Sequence, residues 1–282
     1  MVPANLDELE ERFTRDGFVN GGAVLSSEAL EQLRRDLERF VDAFFRGRDD
    51  GVGRVTYAND LSRVEGLNHY QLCGLWKHSE SFRRLIENPA ILSIAARLAQ
   101  SPLLQLWSDT VQYKPAERGA HFAWHQDAPY HQSIEPPQLL LAAWVAFDDA
   151  EVDSGCMWMV PGSHRWGIQE PHIWGFRDAA PLEEFRRIAP PADAPHIAEA
   201  WREPVPCPVK AGEVHFHHAL TWHGSPTNQS RRARRGYTMH YMPAGVRLAC
   251  EDNRAPMPIG TPMVEAGPEF PIVYRGQSAP EQ

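Results

Sequence analysis

From residue 103 onward the chain is built of short apolar runs separated by turn residues. Leu103 to Tyr113, Leu139 to Phe147, Cys156 to Val160, Glu213 to His217 and Gly236 to Met242 are rich in apolar, aromatic and β-branched side chains. Between them stand Pro136-Pro137, Asp153-Ser154-Gly155, Pro161-Gly162-Ser163 and Ala211-Gly212. Runs this short, ended by residues that favour turns, predict the strands of an antiparallel sandwich or jelly roll. The first third reads differently. Leu30, Leu33, Leu37, Phe40, Val41 and Phe44 recur at helical spacing, with Ser27 as the expected N-cap and Gly47 as the stop. A second helical region is expected from near Ser81. Asn88-Pro89 places a capping side chain before a proline at the first helical position, and Ser101-Pro102 ends the helix after about Gln100.

The expected organisation is one domain over 1–282. It has a helical part at about 1–102, a jelly-roll core at about 103–245 and a C-terminal tail at about 246–282. A lid-like insertion, about 166–208, interrupts the core. It is rich in proline and aromatic residues, with a short helical piece around Leu182 to Ile188, and long insertions between core strands are often functional. A net charge of -9 and a pI near 5.8 argue against nucleic acid or an anionic membrane as partner, despite the local Arg231 to Arg235 run. No apolar run reaches membrane-spanning length, and Met1 to Asp16 has no signal-peptide core. Cys73, Cys156, Cys207 and Cys250 are scattered, without a CxxC pair. A reducing cytoplasm is therefore the expected location. Oligomeric state leaves no mark in the sequence.

Chemistry concentrates in His125-Gln126-Asp127. On a strand, residues two apart point the same way, so His125 and Asp127 would offer two ligands of a 2-His-1-carboxylate triad. Such a triad holds Fe(II) and leaves neighbouring positions free. The third ligand must come from a distant strand. His215, His217, His218 and His223 are close together in sequence; His215 and His217 share a strand face and are expected to bond their neighbours. His121 and His125 are four apart, which would suit zinc on a helix, but their surroundings read as strand and loop. Pro161-Gly162-Ser163-His164 reads as a turn with unusual backbone angles at Gly162, and His164 is not expected to ligate.

Several segments, taken in order, carry a resemblance. They are Gln112-Tyr113-Lys114-Pro115, Trp124-His125-Gln126-Asp127, Leu141-Ala142-Ala143-Trp144, Ser154-Gly155-Cys156-Met157 and Val160-Pro161-Gly162-Ser163-His164. Ala211-Gly212-Glu213, Trp222-His223-Gly224-Ser225, Asn228, and Arg234 before Tyr237 complete the set. Over roughly residues 15 to 245 the chain resembles the phytanoyl-CoA dioxygenase family of Fe(II)/2-oxoglutarate-dependent oxygenases, which also holds ectoine hydroxylase. The resemblance implies a mainly β fold with flanking α-helices, a double-stranded β-helix of jelly-roll, cupin-like type. It implies Fe(II), 2-oxoglutarate and O2 as cofactor and co-substrates, with His125, Asp127 and His223 as metal ligands. It also implies that Arg234 pairs with the far carboxylate of 2-oxoglutarate, with Ser225 bonding the same group and Gln112 and Trp144 adding contacts. Arg235 is the neighbour that a one-residue loop difference would substitute for Arg234.

The expected activity is hydroxylation of a C–H bond in a small organic molecule, with release of succinate and CO2. Desaturation, epimerisation and ring formation on the same scaffold are alternatives, since they share the initial hydrogen abstraction. Halogenation ranks low because Asp127 fills the position that related halogenases leave to chloride. A metal hydrolase would leave the downstream Gly-Ser and arginine unexplained, and the intact metal ligands argue against a non-catalytic jelly-roll binding protein. Trp124, Tyr130, Met157, Trp158, Met159, Trp166, Trp174 and Phe176 are candidates for pocket walls, with at least half expected in the core.

Overall fold

The computed structural model describes residues 5–48, 55, 57–61, 65–169 and 202–276. The elements are α1 (Leu6–Asp16), β1 (Phe18–Ala23), α2 (Ser27–Phe45), β2 (Tyr57–Asp60), β3 (Tyr70–Cys73), α3 (Glu80–Ile86) and α4 (Pro89–Leu98). They continue with β4 (Leu103–Lys114), β5 (Phe122–His125), β6 (Ile134–Glu135), β7 (Leu141–Ala146), β8 (Met157–Met159) and β9 (Val205–Cys207). The last are β10 (Glu213–His218), β11 (His223–Ser225), β12 (Arg234–Pro243), β13 (Arg247–Leu248) and β14 (Ile272–Arg275).

Two antiparallel sheets form the jelly roll. The larger runs β1-β10-β7-β12-β4-β3-β2, with β14 also on β4, and the smaller runs β5-β11-β8-β9. Strand alternation sorts the larger sheet into two faces. Val111, Tyr113, Leu141, Ala143, Val145, Val214, Phe216, Tyr237, Met239 and Tyr241 point to the helical side and share one core with the buried faces of α1 to α4. The residues between them carry the polar chemistry and line a cavity. Helix α2 buries Leu30, Leu33, Leu37, Phe40 and Val41, whereas Phe44 stays 37% exposed. Each fully buried leucine or phenylalanine contributes about 1.5–3 kcal/mol. No helix among the described residues is long and apolar enough to cross a membrane.

The helical expectations need two adjustments. The cap of α2 is Ser26, not Ser27: its hydroxyl accepts from the Ala29 amide at 3.2 Å, so the helix starts one residue earlier. Asn88 caps α4 as expected, accepting from Ala90 and Ile91. The first third is also less helical than its pattern predicts, since β1, β2 and β3 join the larger sheet. Strand β1 is hidden in sequence by Gly21 and Gly22, which weaken strand propensity. Gly21 is needed for close approach: a Cβ there would lie 2.8 Å from Phe216 Cε2. The tail likewise returns a strand, β14, to β4. Most of the 166–208 insertion, including Trp174, Phe176 and the piece around Leu182 to Ile188, lies outside the described residues.

Candidate metal centre and active site

His125 and His223 meet because β5 and β11 are paired, with the two residues as direct partners. Their ring centroids are 4.0 Å apart. Asp127 arrives by a different route from the one its spacing suggests. Strand β5 ends at His125, and Asp127 has φ -73 and ψ -40, a helical conformation that leads into a 3-10 turn at Ala128-Pro129-Tyr130. Asp127 therefore does not share the strand face with His125 that the HxD spacing predicts. The chain bends at Asp127, next to Gln126, whose side-chain amide donates to the carbonyls of Leu220 and Gly167, and that anchored bend turns the carboxylate back toward the imidazoles.

The ligand atoms of His125, Asp127 and His223 all lie within 4.8 Å of one another, and all three residues are buried. Oδ1 of Asp127 is 3.4 Å from Nε2 of His125 and 3.7 Å from Nε2 of His223. Each ring donates Nδ1–H to a backbone carbonyl, His125 to Ala123 and His223 to Thr221, both at 2.9 Å. A neutral ring held this way presents its Nε2 lone pair, so three acceptors converge on one point. Burial pushes the His223 imidazole well below its ordinary pKa, with His125 adding to the shift, which favours the neutral form that a metal needs. Burial opposes ionisation of Asp127, but His223 beside it and the hydrogen bonds from His217 and His240 outweigh it and hold the carboxyl well below the usual range. A cation at the meeting point offsets the mutual repulsion of these lone pairs, and the donor set of two imidazoles and one carboxylate suits iron.

The four other expected residues share the cavity. Gln112, Trp144, Ser225 and Arg234 line the same space of about 630 Å3 as the three ligand candidates, a size suited to a small-molecule site. The guanidinium of Arg234 is 2% exposed and lies 4.6 Å over the Trp144 ring. Its Nε has no hydrogen-bond partner, and no carboxylate among the described residues is within ion-pair distance. Burial pulls its pKa to about 10, so it remains charged at neutral pH. Arg235, its sequence neighbour, points to the other face and is bound to Asp148 at 2.7 Å and Glu38 at 2.9 Å. Alternation along β12 thus separates the two arginines.

Three supports are not evident from the sequence. Lys114 is completely buried, and its ammonium donates to Ser225 O, Ser225 Oγ and Pro226 O at 3.1, 2.6 and 2.6 Å. The Ser225 hydroxyl therefore accepts from Lys114 and keeps its own proton to donate into the cavity. His69 bonds Gln112 Oε1 at 2.7 Å, leaving that side chain's amide hydrogens for the cavity. His217 and His240 both bond Asp127 Oδ2. A buried lysine in Tyr113-Lys114-Pro115 could have been suspected from its place on the polar face of β4, two residues after Gln112.

The remaining candidates divide. Tyr130 and Met157 line the cavity, as does His121. Trp124, Met159 and Trp166 are buried in packing. His215 stacks on Phe18 at 5.9 Å. Gly162 has φ +78, and Ser163 ties its turn to the chain just before His223, accepting from the Trp222 amide at 2.9 Å. His164 lies 5.5 Å from the His218 ring.

Gly236 decides where Trp144 can sit. A Cβ at residue 236 would lie 2.1 Å from Trp144 Cζ2. Gly236→Ala is expected to displace the indole, destabilise the fold by about 1–3 kcal/mol and remove the cation–π contact to Arg234. A lowered thermal midpoint with quenched or shifted tryptophan emission checks this.

The family model described as phytanoyl-CoA dioxygenase matches residues 13–236. The chain is similar to phytanoyl-CoA dioxygenase domain-containing protein 1 of Mus musculus, 30% identical over 172 residues, 60% of this chain and 55% of that relative. It is also similar to the Danio rerio protein of the same name, 30% identical over 199 residues, 71% of this chain and 64% of that relative. The chain thus spans about half the length of the first curated relatives it matches. Among solved structures, the epimerase SnoN from nogalamycin biosynthesis, in complex with Fe3+, alpha ketoglutarate and nogalamycin RO, aligns with TM-score 0.72 at 25% identity, covering 95% of this chain and 98% of that one. The carbocyclase SnoK aligns with TM-score 0.72 at 24% identity, covering 96% and 99%.

Proposed function

This chain belongs to the phytanoyl-CoA dioxygenase family, and on that premise we propose that it hydroxylates a C–H bond of a small organic molecule. The family depends on iron, 2-oxoglutarate and dioxygen. The observation that carries the reading is the pairing, in one cavity, of a converging His-Asp-His donor set with a buried guanidinium that has no anionic partner among the described residues. His125, Asp127 and His223 would hold Fe(II), and Arg234 would take the distal carboxylate of 2-oxoglutarate. When bound, iron with 2-oxoglutarate and dioxygen supplies oxidation of a substrate C–H bond, coupled to decarboxylation of 2-oxoglutarate to succinate and carbon dioxide.

The chain's own residues do the rest. The planar fork of Arg234, backed by Trp144, matches a carboxylate with two parallel N–H bonds. Ser225, fixed by Lys114, donates its hydroxyl beside it. Gln112, oriented by His69, presents amide hydrogens to the same end of the cavity. The aromatic edges of Phe122 and Tyr130 pack against His125, with ring centroids 4.7 and 5.9 Å away, and shield that ligand. Desaturation, epimerisation and ring closure use the same residues. The solved epimerase and carbocyclase of like fold make these the relevant alternatives, and product mass separates them from hydroxylation, which adds one oxygen atom.

Adding Fe(II) and then 2-oxoglutarate to the chain without oxygen is expected to produce a visible charge-transfer band. Admitting oxygen is expected to yield succinate, faster when the true substrate is present. A chain that gives neither band nor succinate with both components in excess is not an oxygenase of this kind.

A further inference from the structure

We infer that His217 and His240 are positioning residues that clamp Oδ2 of Asp127, so that only Oδ1 is offered to the metal. The inference rests on the iron-centre reading above. It starts from the fact that Asp127 is not on a strand. Backbone bonds from Tyr130 N to Asp127 O and from Ala128 N to Ala219 O hold the main chain there, and the torsion of the carboxylate is left to the side chains around it.

The larger sheet supplies that hold in a single row. His217 on β10 is the register partner of Ala142 on β7, and Ala142 is also the partner of His240 on β12. His240 in turn is the partner of Ser108 on β4. Four neighbouring strands thus place His217, Ala142, His240 and Ser108 side by side on the cavity face. Two strand spacings, about 10 Å, separate the histidine backbones. Only the small side chain of Ala142 stands between them in the row, and both rings reach the same Asp127 oxygen. Nε2 of His217 is 3.1 Å from Oδ2, and Nε2 of His240 is 3.3 Å from the same oxygen.

A carboxylate accepts, so both rings must donate through Nε2–H. Ser108 sets this tautomer at His240: its hydroxyl lies 3.1 Å from Nδ1 and donates to it. The two acceptor oxygens of Asp127 are therefore divided. Oδ2 takes two N–H bonds from the sheet, while Oδ1 faces His125 and His223. Released from the clamp, the carboxylate could turn both oxygens to the cation and occupy a position that the three-ligand set leaves open for co-substrate or oxygen. Partners of this kind orient metal ligands, and losing them costs about 10–100-fold in metal affinity.

The test uses Co(II) alone as the probe. It compares native chain, His217→Leu with His240→Leu, His217→Gln with His240→Gln, and Ala142→Val, which adds bulk between the two histidines in the row and spares every polar group. The leucine pair and Ala142→Val are expected to bind Co(II) about 10–100-fold more weakly and to show a changed visible Co(II) spectrum. The glutamine pair keeps a side-chain N–H on each side and is expected to recover most of the affinity and the native spectrum. Thermal melting of each metal-free chain shows whether it is folded, and Ala142→Val serves if the leucine pair is not. Folded variants with native affinity and native spectrum overturn the clamp. Native chain whose Co(II) binding is unchanged by His125→Ala and His223→Ala overturns the metal centre itself.

Discussion

Arg234→Met is expected to raise the melting temperature of the metal-free protein while weakening 2-oxoglutarate binding by about a hundredfold or more. The two effects have one cause. An unpaired guanidinium buried to 2% exposure carries a desolvation cost of several kcal/mol. Its contact with Trp144, 4.6 Å away, returns only about 1–2 kcal/mol. Desolvation wins, so methionine, which fills similar space without the charge, should stabilise the fold by about 1–3 kcal/mol, or a few degrees. Function pays in the opposite direction, because a dianion entering the cavity then loses the planar cation that can meet its carboxylate with two parallel N–H bonds. Arg235→Met is the control. It strips Asp148 and Glu38 of their shared partner and should lower the melting temperature with 2-oxoglutarate affinity unchanged. Melting curves and anaerobic titrations with 2-oxoglutarate measure both quantities. Native affinity in Arg234→Met, or its loss in Arg235→Met, would reassign the co-substrate cation.

What sequence makes legible here follows from how each feature is encoded. The strands at β4, β7, β8, β10 and β12 are dense in apolar residues and bounded by turns, so local pattern suffices. His125, Asp127 and His223 sit in recognisable motifs. The conformation of Asp127 is not legible. HxD spacing is compatible with a strand or with a bend, and the hydrogen bonds of Gln126 to carbonyls some 41 and 94 residues away decide between them. His217 and His240 escape for a similar reason: their common target is set by register across β7, and no local pattern records register. Lys114 looks like an ordinary charged strand residue until the turn after β11 closes over it. Which of Arg234 and Arg235 faces the cavity becomes clear only when alternation along β12 is tied to Asp148 on the opposite face.

Asp127→Asn should be more damaging to metal binding than Asp127→Ala, although it is the smaller chemical change. The reason lies in the two sets of neighbours around the carboxylate. His217 and His240 present N–H groups to Oδ2, so an asparagine turns its carbonyl oxygen toward them. Its NH2 group must then occupy the place of Oδ1, facing His125 and His223. Those rings present Nε2 lone pairs, because their Nδ1–H groups are engaged by Ala123 and Thr221. The amide would donate to them and convert a converging set of acceptors into a closed hydrogen-bonded cluster, with no lone pair left for a cation. Alanine removes a ligand but leaves both imidazoles free. It also strips the N–H groups of His217 and His240 of their acceptor, at about 1–3 kcal/mol for an unsatisfied buried donor. The metal-free proteins should therefore rank in stability as Asp127→Asn above Asp127→Ala. Their Co(II) affinities should rank in reverse, both below native by more than the about 10–100-fold typical of outer partners. Neither should form succinate. Equilibrium dialysis against Co(II) and melting of the metal-free chains test both orders. An asparagine variant that binds metal better than the alanine variant would show that the neighbours of Asp127 do not impose the amide orientation, and the division of its two oxygens would fall with it.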